Sequence, residues 1–393
     1  MSQSFRRPNL TDEQAAALAQ AEQDSFALHC LRLGYDPAIH QSEVLRRLQD
    51  AAERRIEEIG DCVKDPAGSH FLKERLRELE AEARHCKDLW SYRRLWERQT
   101  VGDAAVEIVQ RSESLSIHWR YLERVATRFG LPIPSPSAPT KLADFITAVP
   151  CLFLFGHECN ASVAERRWAH GLPVVCIDEL LRVASQGFLD VVMKQVFVST
   201  ETLSAEVVKP SAWSTIGSDP SFMKECSTAI DLALGRRDVA FHDPGMLLSR
   251  SWPSSQLSCS VMFSGATTFA RLHEYGHLLM GHLDMAHDPQ LELDADRFAM
   301  TVLAGTYAKQ RPDVVAWYEL GAIGLLVMFA IFEAIDCGSP SRTHPPAMQR
   351  LYCVTAGRDK GVGWEFDVAL TMLGVCQRTV EQTYGGTLSL PAE

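Results

Sequence analysis

The first third of the chain places apolar residues at helical spacing within strongly charged segments. Thr11 followed by Gln14 is typical of a capping box and predicts a helix that runs to about Gly34. Residues 41–100 carry thirteen basic and thirteen acidic side chains, with helical apolar spacing on both sides of a turn at 65–68. This pattern predicts either a helical hairpin with solvated faces or a partner-binding or dimerising coiled-coil arm.

A proline-rich segment at residues 131–140 follows the charged region and predicts a linker, because proline cannot continue a helix or sit in a central strand. After it, short apolar segments at 150–155, 172–177 and 192–198 alternate with helical stretches such as 178–186. A further apolar run at 257–263 predicts a strand. We therefore expect a mainly helical α+β protein with a helical region at 1–130, a linker at 131–140 and a second domain at 141–393.

Residues 320–332 form an almost entirely apolar run with Glu319 before it and Glu333 after it. Thirteen helical residues rise about 20 Å, which is shorter than the roughly 30 Å hydrocarbon core of a bilayer. We interpret this run as a fully buried helix of a soluble domain. The first twenty residues have no apolar signal core, so nothing predicts secretion.

Net charge and cysteine content indicate which partners and which cellular compartment to expect. The net charge is −11, and an acidic surface repels phosphate backbones and anionic lipids, so we expect neither a nucleic-acid nor a membrane partner. The eleven cysteines are scattered and form no CxxC pair, which is typical of reduced thiols. A cytoplasmic location is the expectation.

The candidate chemistry starts with His273-Glu274-Tyr275-Gly276-His277, an HExxH sequence inside a predicted helix. Imidazoles at positions i and i+4 project from one helix face and can bind one Zn²⁺. Glu274 is then placed to act as general base on the water that the metal activates.

A second predicted helix fifteen residues downstream reads ELDADRFA. Glu292 is the predicted third zinc ligand, which leaves the fourth position for water. Asp296 lies one turn further on and is predicted to accept the outer N–H of a ligating histidine. Asp294 is the alternative ligand, although it points to a different helix face.

Three other histidines fit a ligand role less well. His282 follows His277 by five positions, which does not fit the spacing of a third histidine ligand in metzincins. We interpret His282 and His287 as turn or loop residues and His157 as structural. The element THPPAMQRL is different, because His344 and Arg350 can both reach the zinc site, polarise the scissile carbonyl and stabilise the oxyanion.

Together, HEYGH, ELDADRFA and THPPAMQRL resemble the gluzincin metallopeptidases. The THPPxxxR and ExxAD elements resemble HtpX and CAAX-processing peptidases, which have a longer gap between HExxH and the glutamate and carry membrane helices. The short gap resembles more closely the soluble ImmA/IrrE-type peptidases, which cut regulators or defence-system partners. Peptidases of the Lit phage-exclusion type are a weaker likeness. The resemblance covers about residues 240–355.

This resemblance implies a zincin-like metallopeptidase domain over 141–393, with a small sheet and an active-site helix. It implies one Zn²⁺ per chain, held by His273, His277 and Glu292, and cleavage of a specific protein in bacterial stress regulation or anti-phage defence. The edge of the predicted 257–263 strand would hold the substrate. A regulatory partner or a second copy would bind the N-terminal helices. The alternative function is a zinc-stabilised interaction module without hydrolysis.

Overall fold

The structure is a computed structural model of the 393-residue chain. It describes residues 10–32, 36–39, 41–43, 45–46, 49, 101–102, 104–155, 160–196, 207–234, 255–286, 288–308, 312–335, 344–355 and 364–388. Most of the predicted hairpin at 41–100 therefore lies outside the described residues.

The described part is mainly helical with one small sheet, which agrees with the predicted class; the zincin-like assignment stays a prediction. Its helices include α1 (Asp12–Arg32), α2 (Trp119–Phe129), α3 (Pro139–Ala148), α4 (Glu179–Val196), α5 (Pro210–Gly217), α6 (Pro220–Ala233), α7 (Ser255–Leu279), α8 (Pro289–Ala308), α9 (Pro312–Ile335), α10 (Ala347–Thr355) and α11 (Trp364–Thr379), and residues 101–102 and 104–110 are also helical. Its strands are β1 (Cys151–Leu154), β2 (Ala161–Glu165) and β3 (Pro173–Asp178). Three shorter helical segments are Arg167–Ala169, His282–Asp284 and the π-helical turn Val380–Tyr384.

The chain divides into two compact units. The first comprises Met1–Glu179, Val239–Pro253 and Glu274–Met285, and the second comprises Leu180–Asp238, Ser254–His273 and Ala286–Glu393. Helix α7 contributes residues to both. The predicted domain boundary at residues 131–140 stays a prediction; helix α3 begins inside that segment with Pro139 at its first helical position, where a missing N–H costs nothing.

The first unit contains the three-stranded sheet in the order β1-β3-β2. Strand β3 is central and buried, parallel to β1 and antiparallel to β2. These strands confirm the predictions made from the apolar segments at 150–155 and 172–177. Central position explains the continuous apolar pattern of β3, because both of its faces are covered.

The N-terminal helix α1 begins as its capping box predicts. The backbone N–H of Gln14 donates to the Thr11 hydroxyl at 3.1 Å, and the Thr11 N–H donates to the Gln14 side-chain oxygen at 3.0 Å. Each bond satisfies a backbone donor that the first helical turn leaves without a partner.

Two predicted strands are wrong. Residues 257–263 form part of helix α7, and residues 192–196 end helix α4. A short apolar run fits a buried helix as well as a strand. In α7 the turn-forming residues between this run and the HExxH sequence, Ser264 and Gly265, stay within the helix.

The apolar run at 320–332 is helical and largely buried, as predicted, but α9 is longer than the run. Its 24 residues reach from Pro312 to Ile335. By length and composition alone, Val315–Ile335 could cross a membrane, so the length of this helix does not exclude a span, contrary to the prediction from residues 320–332. Of its most apolar stretch, 72% is buried in the protein, which fits a core helix.

Helices α7 and α9 of the second unit cross at two glycines. A Cβ atom at Gly321 would overlap the carbonyl of Met262, and one at Gly265 would overlap the carbonyl of Tyr318. The two backbones are therefore in direct contact, with no room for a side chain. This crossing fixes the first part of α7, which leads into the HExxH sequence.

We expect Gly321→Ala to destabilise the protein by about 1–3 kcal/mol, because the helices must separate to admit the methyl group. Chemical denaturation of the full chain measures this change. The matched control is Gly102→Ala, since a Cβ at helical Gly102 meets no atom of the described residues within 4 Å. The control should be neutral or stabilising, and equal losses in both variants would contradict a tight crossing.

Candidate metal centre

One helix carries both candidate histidine ligands. His273 and His277 are four residues apart in α7, and four residues separate neighbours on one helix face. His273 is 6% exposed, and His277 is half-buried. Both residues lie near the end of the helix, where the last backbone bonds run from Met280 N–H to the Gly276 carbonyl and from Gly281 N–H to the Leu278 carbonyl.

Glu292 completes the group from the first turn of the next helix, α8. One ligand atom from each of His273, His277 and Glu292 lies within 4.8 Å of the others. His273 Nε2 and Glu292 Oε2 are 3.3 Å apart. Two atoms that each lie about 2.0–2.1 Å from a tetrahedral zinc are separated by about 3.3 Å, so the distance between these two atoms is compatible with a shared zinc ion.

Asp296 holds the outer nitrogen of His273. Its Oδ1 lies 2.9 Å from His273 Nδ1, and the Asp296 side chain is fully buried. With Nδ1–H bound to Asp296, the His273 Nε2 lone pair is directed away from Asp296 and is available to a metal. The structure thus brings together the two residues that the sequence paired for this role.

Arg350 lies on the far side of Asp296. Its Nε and a terminal nitrogen bind the two oxygens of Asp296, each at 2.8 Å. This two-point bond is buried, and it fixes both the charge and the direction of the carboxylate. Two of the three guanidinium nitrogens are bound to Asp296, and the predicted contact of Arg350 with the oxyanion stays a prediction.

The contacts among Arg350, Asp296 and His273 alter the pKa values of Asp296 and His273. Burial tends to raise the pKa of Asp296, but the Arg350 guanidinium outweighs burial and holds that pKa below its usual value. Burial lowers the pKa of His273, yet its bonds to Asp296 and Glu292 outweigh that effect and raise the pKa to about 9 in the metal-free chain. A metal that binds Nε2 displaces that proton.

His344 lies against the candidate ligand Glu292. Its Nδ1 is 2.7 Å from Glu292 Oε2, and its side chain is 42% exposed. The loop at 344–346 is followed directly by α10, whose first N–H, from Ala347, donates to the Glu333 carboxylate at 2.9 and 3.0 Å. The anchored start of α10 keeps His344 next to Glu292.

The alternative ligand Asp294 does not belong to the group. Its Oδ1 accepts from Arg297 at 2.9 Å and from Gln290 at 2.8 Å on the exposed side of α8. The two other histidine sites weighed above, His157 and His287, lie outside the described residues.

His282 is a residue whose role the sequence interpretation missed. It was predicted to be a turn residue, and it does begin the 3₁₀ turn His282–Asp284. Its Nδ1, however, lies 3.0 Å from Nδ1 of His277. The signal that could have revealed this contact is the glycine before it, since a glycine at a helix end reverses the chain direction.

Glu274 is 6% exposed beside His273. It is also close enough to Cys176 on β3 for its charge to act on that thiol. The pKa of Cys176 is raised chiefly by burial and slightly further by Glu274. The candidate base therefore lies near the sheet of the first unit.

Comparison with protein families gives one match. Residues 241–365, which include the HExxH helix, Glu292 and His344, are similar to the family described as Peptidase U49. This similarity supports a peptidase. Searches of curated proteins and of solved structures found no match.

Proposed function

We propose that the protein is a zinc-dependent endopeptidase that hydrolyses peptide bonds of a specific protein substrate. The observation that carries the proposal is the assembly of His273, His277 and Glu292 around one point, with a glutamate next to the first histidine. The similarity of residues 241–365 to a peptidase family supports the same reaction.

His273, His277 and Glu292 would hold the zinc, at one ion per chain. A zinc ion bound there supplies Lewis acidity and lowers the pKa of a water molecule. Glu274 takes the proton of the attacking water and later transfers it to the leaving amine. Asp296 orients His273, and Arg350 acts one step further out by orienting Asp296.

A substrate segment would pair with strand β2. Among the described strands β2 pairs with β3 alone, so its other edge can add an extended peptide. Ser162 of β2 is the direct neighbour of Cys176 of β3, and the charge of Glu274 contributes to the raised pKa of the Cys176 thiol. This edge replaces the wrongly predicted 257–263 strand as the substrate-binding element.

The biological setting rests on the motif resemblance. Soluble peptidases with a short HExxH-to-glutamate gap cut regulators or defence-system partners, and we propose that this chain acts in bacterial stress regulation or anti-phage defence in the cytoplasm. A regulatory partner or a second copy would bind the charged N-terminal region.

The proposed function is tested by comparing cells that express the wild type with cells that express Glu274→Gln. Proteomic mapping of protein termini should find one or a few new termini in the wild-type cells alone. Termini that appear equally with both proteins would argue against hydrolysis by this site.

We propose a catalytic role for His344. Its ring, with Nδ1 2.7 Å from Glu292 Oε2, would donate an N–H to the oxyanion, and its 42% exposure leaves room for a substrate. His344→Ala should lower the cleavage rate at saturating zinc by about 10²–10³-fold, the usual cost of one lost oxyanion donor.

The measurement is single-turnover cleavage of the substrate found by terminus mapping, together with a zinc titration. A second possibility for His344 is that it only orients the Glu292 carboxylate. In that case zinc affinity would fall while the rate at saturating zinc stayed at the wild-type value, and the oxyanion role would be excluded.

A further inference from the structure

The turn after the HExxH helix brings His282 back onto His277. The two Nδ1 atoms are 3.0 Å apart, and the rings meet edge to face with centroids separated by 5.1 Å. A nitrogen–nitrogen distance of this length is a hydrogen bond. It requires one ring to carry its proton on Nδ1 and the other ring to accept that proton there.

Gly281 makes the turn possible. Its φ of +76° is in the left-handed region that glycine adopts without strain. A Cβ at Gly281 would also lie 3.2 Å from the ring of His118. The packing of His118 therefore disfavours a larger residue at position 281 in addition to the backbone angle. The backbone N–H of His118 donates to the carbonyl of Leu279 at 2.8 Å and fixes the last turn of α7.

A second anchor holds the other end of the turn. Arg124 of α2 binds the carboxylate of Asp284 at 2.7 Å, and the Met285 N–H donates to the His282 carbonyl at 3.1 Å. An exposed ion pair contributes little to stability by itself. Together with the contacts at Gly281, it leaves the backbone on both sides of His282 attached to α2.

We propose that His282 is a positioning residue for the metal centre. Its Nδ1 accepts the Nδ1–H of His277, which selects the His277 tautomer with a lone pair on Nε2. That tautomer is the one a metal needs. This inference rests on the proposed function, since it assigns a partner to one of its zinc ligands.

His282 thereby does for His277 what Asp296 does for His273. The difference lies in charge, because Asp296 is an anion and His282 in its acceptor form is a neutral ring. Each ligating histidine thus has its own acceptor for the outer N–H. His282 is not itself in the ligand group, which consists of His273, His277 and Glu292.

Two substitutions separate this role from simple packing. His282→Leu fills much of the same space without an acceptor, whereas His282→Asn presents an oxygen close to the position of the imidazole Nδ1. Zinc affinity of the purified full chain is measured by competition with a chromophoric chelator, and the visible spectrum of the Co²⁺ form reports the geometry of the metal site. Met285→Ala, at an exposed position in the same turn, is the matched control.

We expect His282→Leu to weaken zinc binding by about 10–100-fold and to change the Co²⁺ spectrum, the usual result of removing an outer partner of a ligating histidine. His282→Asn should retain most of the affinity, and Met285→Ala should bind zinc as the wild type does. Affinity equal to wild type in His282→Leu would overturn the inference, and so would equal losses in the leucine and asparagine variants.

Two further outcomes are distinguishable. A wild-type chain that binds no zinc would overturn the proposed function, and this inference with it. If His282→Leu did not fold, nitrogen NMR of the zinc-loaded wild type would still decide the point. We expect a proton on Nδ1 of His277 and none on Nδ1 of His282, and the reverse assignment would overturn the inference.

Discussion

Glu274→Gln is expected to keep its zinc and to lose about 10²–10⁴-fold in cleavage rate. Glutamine has the shape of glutamate but cannot take a proton from the attacking water, and loss of a general base typically costs this much. The proposed ligands His273, His277 and Glu292 are unchanged, so metal content should stay at the proposed level of about one zinc per chain. Elemental analysis and a cleavage assay on the mapped substrate measure the two quantities.

The matched control is Asp294→Asn, which makes the same carboxylate-to-amide change on the exposed side of α8. Asp294 pairs with Arg297 at the surface, where such a bond contributes little, so both rate and zinc content should equal those of the wild type. Wild-type cleavage by Glu274→Gln would exclude Glu274 as the base.

The same variant separates the two candidate functions. A zinc-stabilised interaction module needs the metal but no general base, so Glu274→Gln would act like the wild type in cells. An endopeptidase would lose its biological effect while zinc stayed bound. The position of Glu274 directly after a candidate histidine ligand favours the endopeptidase, because a purely structural zinc site needs no general base.

His277→Ala is expected to reduce the zinc content from about one ion per chain to nearly none. The substitution removes one of three protein ligands, and two ligands do not form a closed site for zinc. Elemental analysis of protein prepared without chelators is the measurement. The expected loss of zinc is large because zinc affinity depends on all three proposed ligands at once.

His170→Asn is the matched control for the loss of a histidine. His170 has a φ of +55°, a conformation that asparagine tolerates, and it lies in the turn before β3, outside the ligand group. Its zinc content should equal that of the wild type. A wild type without zinc, or a His277→Ala variant that retains a full ion, would contradict the assignment of the ligands.

Local periodicity was enough to predict the main parts of the site. The i, i+4 spacing of HExxH places His273 and His277 on one helix face wherever that helix lies. The capping box at Thr11 and the apolar segments that became β1 and β3 are equally local signals. These features depend on residues that are close in sequence, so no tertiary information was required.

The two wrongly predicted strands show that local sequence patterns were not sufficient for these segments. The run at 257–263 alternates apolar and polar residues over only five positions, and the run at 192–198 fits a buried helix as well as a strand, so neither pattern is long enough to decide. For the run at 257–263, the packing of α7 against α9 is consistent with a helix. Gly265 and Gly321 let α7 and α9 approach until their backbones touch, and that contact extends α7 through the run. The length of α9 was likewise underestimated, because its ends are less apolar than its centre.

The sequence by itself determined that two histidines and a glutamate on adjacent helices could form a zinc site with Asp296 behind it. Only the tertiary structure decided what supports those groups. Arg350 binds Asp296 across 54 residues of sequence, and His282 meets His277 because Gly281 reverses the chain against α2. Such contacts depend on how distant elements pack and on the sign of one backbone angle, and neither is encoded in the spacing of residue types.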